Sequence, residues 1–319
     1  MTLNLHLLRI FAAVVEHGGF SRAAGVLRIS QPAVSRAVAS LERDVGTALL
    51  DRIPRGIRLT EAGEVMVAHA RAIFGAERAA LEELDALRGL ERASLHIGAS
   101  TTIATYLLPA LLAEFHRRHP AVALRVTSAN TLDVATRLIE RAIDIALVEG
   151  PVHDERVHVS PWRTDELVIV VGRDHPLLAA PPASAAALSR ELFIVREPGS
   201  GTREVAEDAL RRHRVVPRTT LEMSSTEAIK QTVAAGLGVS ILSAAAAADQ
   251  LALGKLRRLD IPGFHVPRAL SRLSLADRRP SFAARAFAAL LDERPPSATA
   301  ARPETRPKRS PARPGSARR

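Results

Sequence analysis

The stretch FAAVVEHGGFSRAAGVLRISQPAVSRAVASLE, residues 11–42, decides how the amino-terminal part of this chain folds. Leu7, Leu8, Phe11, Val14 and Val15 recur at helical spacing, and Gly18-Gly19 ends that helix. Ser21 is the expected N-cap of a short second helix that turns Ala23, Ala24 and Leu27 inward. The tight connection Arg28-Ile29-Ser30 then leads into a third helix, with Ser30 as cap and Pro32 in the first turn, where a missing N–H costs little. On a helical wheel Val34, Ala37, Val38 and Leu41 form one apolar stripe. Pro32, Ser35, Arg36, Ser40 and Arg43 fall on the other faces.

Further along, Leu49-Leu50 and Ile57-Leu59 flank Pro54 and Gly56, the pattern of a β-hairpin wing. Thr60 can cap a helix that runs without proline to about residue 90. In it Met66, Ile73, Ala80 and Leu87 recur every seven residues beside Val65, Ala72, Ala79 and Ala86, a narrow seam suited to pairing with a second long helix. From Ser94 short apolar runs at 95–99, 122–126, 145–148, 167–171, 192–195 and 239–242 alternate with helical patterns and predict buried strands in a two-lobed α/β arrangement. Residues 281–292 make a last helix. Pro295-Pro296 opens a Pro/Ala/Arg/Ser tail that cannot bury a core and is expected to be disordered.

The formal net charge of +10 is unevenly spread. Residues 1–60 hold 8 Arg against 4 acidic side chains, residues 294–319 hold 8 Lys+Arg against Glu304 alone, and residues 61–293 carry about −1. Two basic ends suit a polyanion. An Arg-rich composition with only 3 Lys accounts for the tail equally well. The chain has no cysteine, so disulfides, thiolate catalysis, iron–sulfur clusters and a thiol redox sensor are excluded. No uncharged run approaches a bilayer span and no signal-type segment opens the chain, which places it in the cytoplasm with no membrane partner.

An apolar stripe with a polar opposite face leaves the third helix free to enter a DNA groove. Arg36 can donate two parallel hydrogen bonds to a guanine edge, Gln31 can pair with adenine, and Ser35 can reach base or phosphate. Arg52, Arg55 and Arg58 in the wing suit phosphate contact or minor-groove insertion. With Ser21, Ser30, Pro32, Ser40 and Arg43 they make up the candidate interface with double-stranded DNA.

Residues 11–24, the run Ser30-Gln31-Pro32-Ala33-Val34-Ser35-Arg36, Leu41-Glu42, Gly46-Thr47, Leu49-Leu50-Asp51-Arg52 and Leu59-Thr60-Glu61-Ala62-Gly63 closely resemble the amino-terminal signature of LysR-type transcription regulators. That match covers about 60 residues. The resemblance implies an α/β chain with a winged helix-turn-helix at 1–60 and a linker/dimerisation helix at 61–92. A two-lobed periplasmic-binding-protein-like (type 2) effector domain at 93–293 follows, with lobe I at 93–163 and 268–293, lobe II at 164–267, and the basic tail at 294–319. It further implies a dimer through the long helix, commonly a tetramer through the effector domains, and contact with RNA polymerase. The tail has no counterpart in the family.

Four segments suit the crevice between lobes, because each offers free backbone N–H groups and a hydroxyl or amide that can cradle an anion. They are Ser100-Thr101-Thr102, Asn130-Thr131, the loop Pro198-Gly199-Ser200-Gly201-Thr202, and Ser225-Thr226. Glu149, just beyond a predicted strand, and Arg196 complete the candidate effector site, with Arg203 as an added charge. Serines and threonines at these places also serve as ordinary N-caps. Residues 196–203, 225–230 and 234–239 look most like the LysR branch that regulates carbon fixation and sulfur assimilation, whose effectors are small anions. No nucleophile, acid/base pair or metal-ligand set stands at a readable spacing, so neither an enzyme nor a cofactor is expected. His116 and His119 are a solvated helix end, and the loop at 199–201 lacks both dinucleotide and phosphate-loop spacing. A solute-binding protein would explain 93–293 alone, but it would require export.

Overall fold

The fold was obtained as a computed structural model, and residues 2–53, 56–87, 93–179, 184–276 and 278–293 are described. Arg55 and the basic tail lie outside the described residues, as do the side chains of Arg52 and Leu87.

Three helices, α1 (Leu5–Glu16), α2 (Phe20–Leu27) and α3 (Gln31–Val45), close on a core of Leu8, Phe11, Val14, Val34, Val38 and Leu41. Ser30 caps α3 as expected, accepting from Ala33 N–H at 3.3 Å. Ser21 does not cap α2. That helix begins one residue earlier, with Gly19 at φ 153° as its N-cap and no side-chain cap bond, because only glycine takes this backbone angle cheaply after Gly18. The wing is β1 (Leu50–Ile53) paired antiparallel with β2 (Gly56–Leu59). A carboxylate oxygen of Glu42 accepts from the Leu49 and Leu50 N–H groups at 2.8 and 3.2 Å, which ties the wing to α3. Thr60 caps α4 (Glu61–Leu87), accepting from Gly63 N–H at 3.0 Å and donating to the Ala48 carbonyl at 2.8 Å.

The residues of the seam expected on α4 differ in exposure. Met66 and Ile73 pack against the core of the preceding helices, since the α4 face that contains Val67, Ala70 and Phe74 rests there and draws its neighbours partly in. Ala80 of the seam and the flanking Val65, 57% exposed, face solvent together with Ala68 and Ala76.

The remaining residues form a nine-stranded sheet with helices on both faces. In chain order they are β3 (Ser94–Ser100), α5 (Thr101–Tyr106), α6 (Leu108–Arg118), β4 (Ala123–Ala129), α7 (Thr131–Ile139), β5 (Ile145–Glu149), β6 (Val157–Gly172) and α8 (Ala185–Leu188). Then follow β7 (Leu192–Val195), α9 (Gly201–Arg212), β8 (Thr219–Glu222), α10 (Thr226–Ala234), β9 (Val239–Ser243), α11 (Ala244–Ala252), β10 (Leu256–Arg258), β11 (Val266–Leu275) and α12 (Phe282–Glu293). The strand order is β4-β3-β5-β11-β6-β9-β7-β8, with β10 on β6. Two cores flank β3 and β5, one around Phe115 and Phe287 and one around Leu138 and Leu273; two more flank β7 and β9. Only the long strands β6 and β11 run through both halves, and their register shifts between Leu270 and Ser271. Strands β8, β10 and β11 have no counterpart among the predicted runs. In β11 the inward positions include Arg268 and Ser271, which break the apolar alternation a sequence scan looks for.

Candidate DNA-reading face and effector crevice

On α3, Gln31, Pro32, Arg36 and Arg43 are exposed, whereas Ser35 and Ser40 are half-buried beside the apolar stripe. The stripe holds Val34, Val38 and Leu41 in the core, so burial orients the opposite face outward. Ser30 is exposed, with its hydroxyl engaged as the cap, and Ser21 is exposed in the first turn of α2. Arg43 reaches back to the Ala39 carbonyl at 3.4 Å. Arg58 in the wing pairs with Asp51 across the hairpin at 3.1 Å, with both side chains largely in solvent.

In the other half, the four expected segments converge. Ser100, at the end of β3, caps α5; Asn130 caps α7, accepting from Asp133 N–H at 2.8 Å; Ser225 caps α10. Ser200 precedes α9 and is buried without a side-chain cap bond. Thr131 donates to the Glu149 carbonyl at 2.9 Å and accepts from Gly201 N–H at 3.3 Å. Leu132 N–H donates to the Gly199 carbonyl at 3.1 Å. These bonds zip the β5–α7 side of the crevice to the start of α9, and Gly201 permits the approach: a Cβ there would stand 1.7 Å from the Glu149 carbonyl oxygen.

Two buried cations lie behind the zipper. Arg196, 3% exposed, donates to both oxygens of Glu197 at 2.8 Å, to Thr226 Oγ1 at 2.9 Å and, across the crevice, to Thr101 Oγ1 at 3.4 Å. Arg268 donates to Asp165 at 2.8 and 2.9 Å and to Thr202 Oγ1 at 2.8 Å. Thr202 in turn donates to Glu149 at 3.1 Å, and the Ser100 hydroxyl also donates to that carboxylate. Ser100, Glu149 and Thr202 are therefore partners of one another, with Thr102 buried nearby in α5. The cavity reaching Arg196 and Thr202 holds about 20 Å³, room for about one water. A larger cavity of about 580 Å³ opens beside the zipper, lined by Thr131, Leu132, Gly199 and Glu204. Arg203 pairs with Glu207 and Glu222 at the outer edge of the crevice.

The residues that sequence reasoning missed are Arg268, Asp165 and a second link between the halves. Tyr106 Oη donates to Glu227 at 3.2 Å, and the Lys230 ammonium lies 2.7 Å from the same carboxylate and 4.8 Å from the Tyr106 ring. Lys230, hydrogen-bonded to Glu227 ahead of the Gln231 amide, lowers the Glu227 pKa to about 2. The scarcity of Tyr and Lys in this chain was the available signal, since its one Tyr and one of its few Lys meet here.

A winged helix-turn-helix with an Arg-bearing exposed face, joined by a long helix to a two-lobed domain with a polar crevice, defines a DNA-binding protein controlled by a small molecule. Residues 5–64 match the bacterial regulatory helix-turn-helix proteins of the lysR family, and residues 88–296 match the LysR substrate binding domain. The chain is 35% identical to the RuBisCO operon transcriptional regulator of Allochromatium vinosum over 90% of this chain and 95% of that one. Among solved structures it resembles a full-length OxyR variant from Pseudomonas aeruginosa, with TM-score 0.72, 27% identity and coverage of 92% and 94%. It also resembles the Synechocystis PCC6803 CcmR regulatory domain in complex with 2-PG, with TM-score 0.59, 32% identity and coverage of 63% and 96%.

This chain belongs to the LysR family. It is a transcriptional regulator with a DNA-binding domain and an effector-binding domain, not an enzyme. Among the described residues no helix is long and apolar enough to cross a membrane.

Proposed function

We propose that this regulator acts in the cytoplasm on carbon-fixation genes and responds to a small anionic metabolite, of the phosphorylated-acid type, held at Arg196. The observation that carries the reading is the buried Arg196 guanidinium, which bridges Thr226 on one side of the crevice to Thr101 on the other. A planar, permanently charged fork matches a phosphate or carboxylate. The anion takes the place of Glu197 as the partner of Arg196, with N–H groups at the starts of α5 and α10 and the hydroxyls of Thr101 and Thr226 as further donors. Ser100, Thr102, Asn130, Thr131, Glu149, Ser200, Thr202 and Ser225 shape and brace the pocket. A relative named for the RuBisCO operon and a similar regulatory domain with bound 2-phosphoglycolate support this chemistry. Ligand binding energy shifts the lobe equilibrium and re-aims the paired DNA-binding domains.

The test is calorimetry of the full-length protein against phosphorylated acids, sugar phosphates, sulfur oxyanions and uncharged sugars, paired with gel shifts on the promoter divergent to its own gene. A phosphorylated acid should bind and alter the gel shift, and Arg196→Gln should weaken that binding about tenfold or more, as for loss of a charge-assisted contact. A response only to uncharged ligands would overturn the reading.

For DNA, the exposed face of α3 reads the major groove, with Arg36 and Gln31 on bases, Ser35, Ser40 and Arg43 at base edges or backbone, and the wing arginines on phosphates. Arg36→Ala should lose about 1–3 kcal/mol of specific affinity and flatten discrimination at one base pair per half-site. A competition assay with undiminished selectivity would exclude that role.

The protein works as a dimer, or a tetramer, that contacts RNA polymerase. The solvent face of α4 is the pairing surface, with exposed Val65 set among alanines that let two helices approach closely. Val65→Glu should shift sedimentation toward the monomer. An unchanged oligomer would assign pairing to another surface.

A further inference from the structure

A cavity of about 360 Å³, sharing no lining residue with the crevice, lies between α1 and α4 on one side and β3 and α7 on the other. That volume falls in the range of small-ligand sites. Among the described residues, Arg71, Arg78, Arg137, Arg141 and His96 line it with Glu16 as the one lining carboxylate, and Arg141 is already engaged by another contact. Arg71 is tied to Glu140 at 2.6 Å, and Arg78 stands 3.6 Å from Asp144, which Arg278 also holds at 2.6 Å. Arg137 is exposed and makes no ion pair among the described residues. His96 is bonded through Nε2 to Thr127 at 2.7 Å, and its backbone N–H donates to Asp144 at 2.9 Å. Burial, then the positive charges of Arg125, Arg78 and Arg137 against the opposing Asp144, hold the His96 pKa below its ordinary value.

We propose that this cavity is a second anion site, distinct from the inter-lobe crevice, that takes a compact diphosphate-type anion. Arginine forks from α4 and α7 can close on phosphate oxygens from opposite walls. An anion there bridges the linker helix that carries the DNA-binding domain, through Arg71 and Arg78, to the effector-binding unit, through Arg137. It fixes their relative orientation. The position is suited to control, because α7 begins at Thr131 in the crevice zipper and ends at this cavity. A ligand at either end of α7 acts on the same rigid element.

The experiment uses inorganic pyrophosphate as probe on the full-length protein, by calorimetry at low ionic strength. The parent should bind it saturably, Arg137→Gln about tenfold or more weakly, and Arg137→Lys in between, because charge is kept and the fork is lost. Arg137 is exposed, so its variants should keep the parent's thermal unfolding profile. No saturable binding by the parent overturns the proposal, as does parent-like binding by Arg137→Gln. Pyrophosphate binding that is lost in Thr226→Val but kept in Arg137→Gln would move the anion to the crevice and overturn it too. These outcomes are readable whichever metabolite, if any, the crevice takes.

Discussion

Replacing Arg268 by leucine is expected to lower the stability of the effector-binding domain by about 3–5 kcal/mol, the cost of removing one partner from a buried ion pair. The Arg268 side chain is 1% exposed and Asp165 8%. Arg268 spends Nε and Nη2 on Asp165 and Nη1 on Thr202, and it stands 3.8 Å from the buried Glu149 carboxylate. With leucine there, Asp165 and Glu149 remain as desolvated negative charges, and Thr202 loses the donor that orients its hydroxyl. Urea unfolding followed by circular dichroism at neutral pH should show the domain's midpoint falling. Combining Arg268→Leu with Asp165→Asn should recover part of the loss, because one stranded charge is then gone. An unshifted midpoint in the single variant would mean that the pair contributes nothing net.

Gly201→Ala should destabilise the same domain by about 1–3 kcal/mol or more and abolish the effector response, although propensity predicts the opposite sign. Gly201 is the first residue of α9, where alanine normally gains about 0.5–1 kcal/mol over glycine. The added Cβ would stand 1.7 Å from the Glu149 carbonyl oxygen and 2.8 Å from Thr131 Oγ1, both closer than real Cβ atoms approach. The neighbouring strand end has no room to give, since a Cβ on Gly150 would itself lie 2.7 Å from the Gly201 Cα. The lobes must part, which breaks the bonds from Gly201 to Thr131 and from Leu132 to Gly199. Thermal unfolding and ligand calorimetry check the two effects together, and a variant more stable than the parent would show that helix propensity outweighs the close approach.

Much of this protein is legible from residues close together in the chain. Ser30, Asn130 and Ser225 cap their helices because each hydroxyl or amide reaches an N–H three residues on, a contact any short segment can make. The stripe Val34, Val38 and Leu41 and the strands at 145–149 and 192–195 follow from periodicity in the same way. Ser21 misled because the special backbone of Gly19 starts α2 a residue earlier than the hydroxyl pattern suggests. The faces of α4 could not be sorted from its heptads. Met66 and Ile73 are as apolar as Val65, and only docking on the helix-turn-helix core decides which of them meets solvent.

The crevice depended on tertiary structure most of all. Its donors could be named one by one, yet whether they point at a ligand or at each other is set by partners far away in sequence. Arg268 meets Asp165 across 103 residues, and Thr202 meets Glu149 across 53. Those pairs exist because β11 lies against β6 in one register, with Arg268 opposite Asp165, and because glycine lets α9 come down on the end of β5. The sequence by itself determined the helices, several of their caps, the exposed polar face of α3 and the family, all of which rest on local spacing and residue type. The tertiary structure alone decided which charges are buried together, since burial is a property of the assembled sheet and a charge removed from water must find its counter-charge wherever the fold puts it.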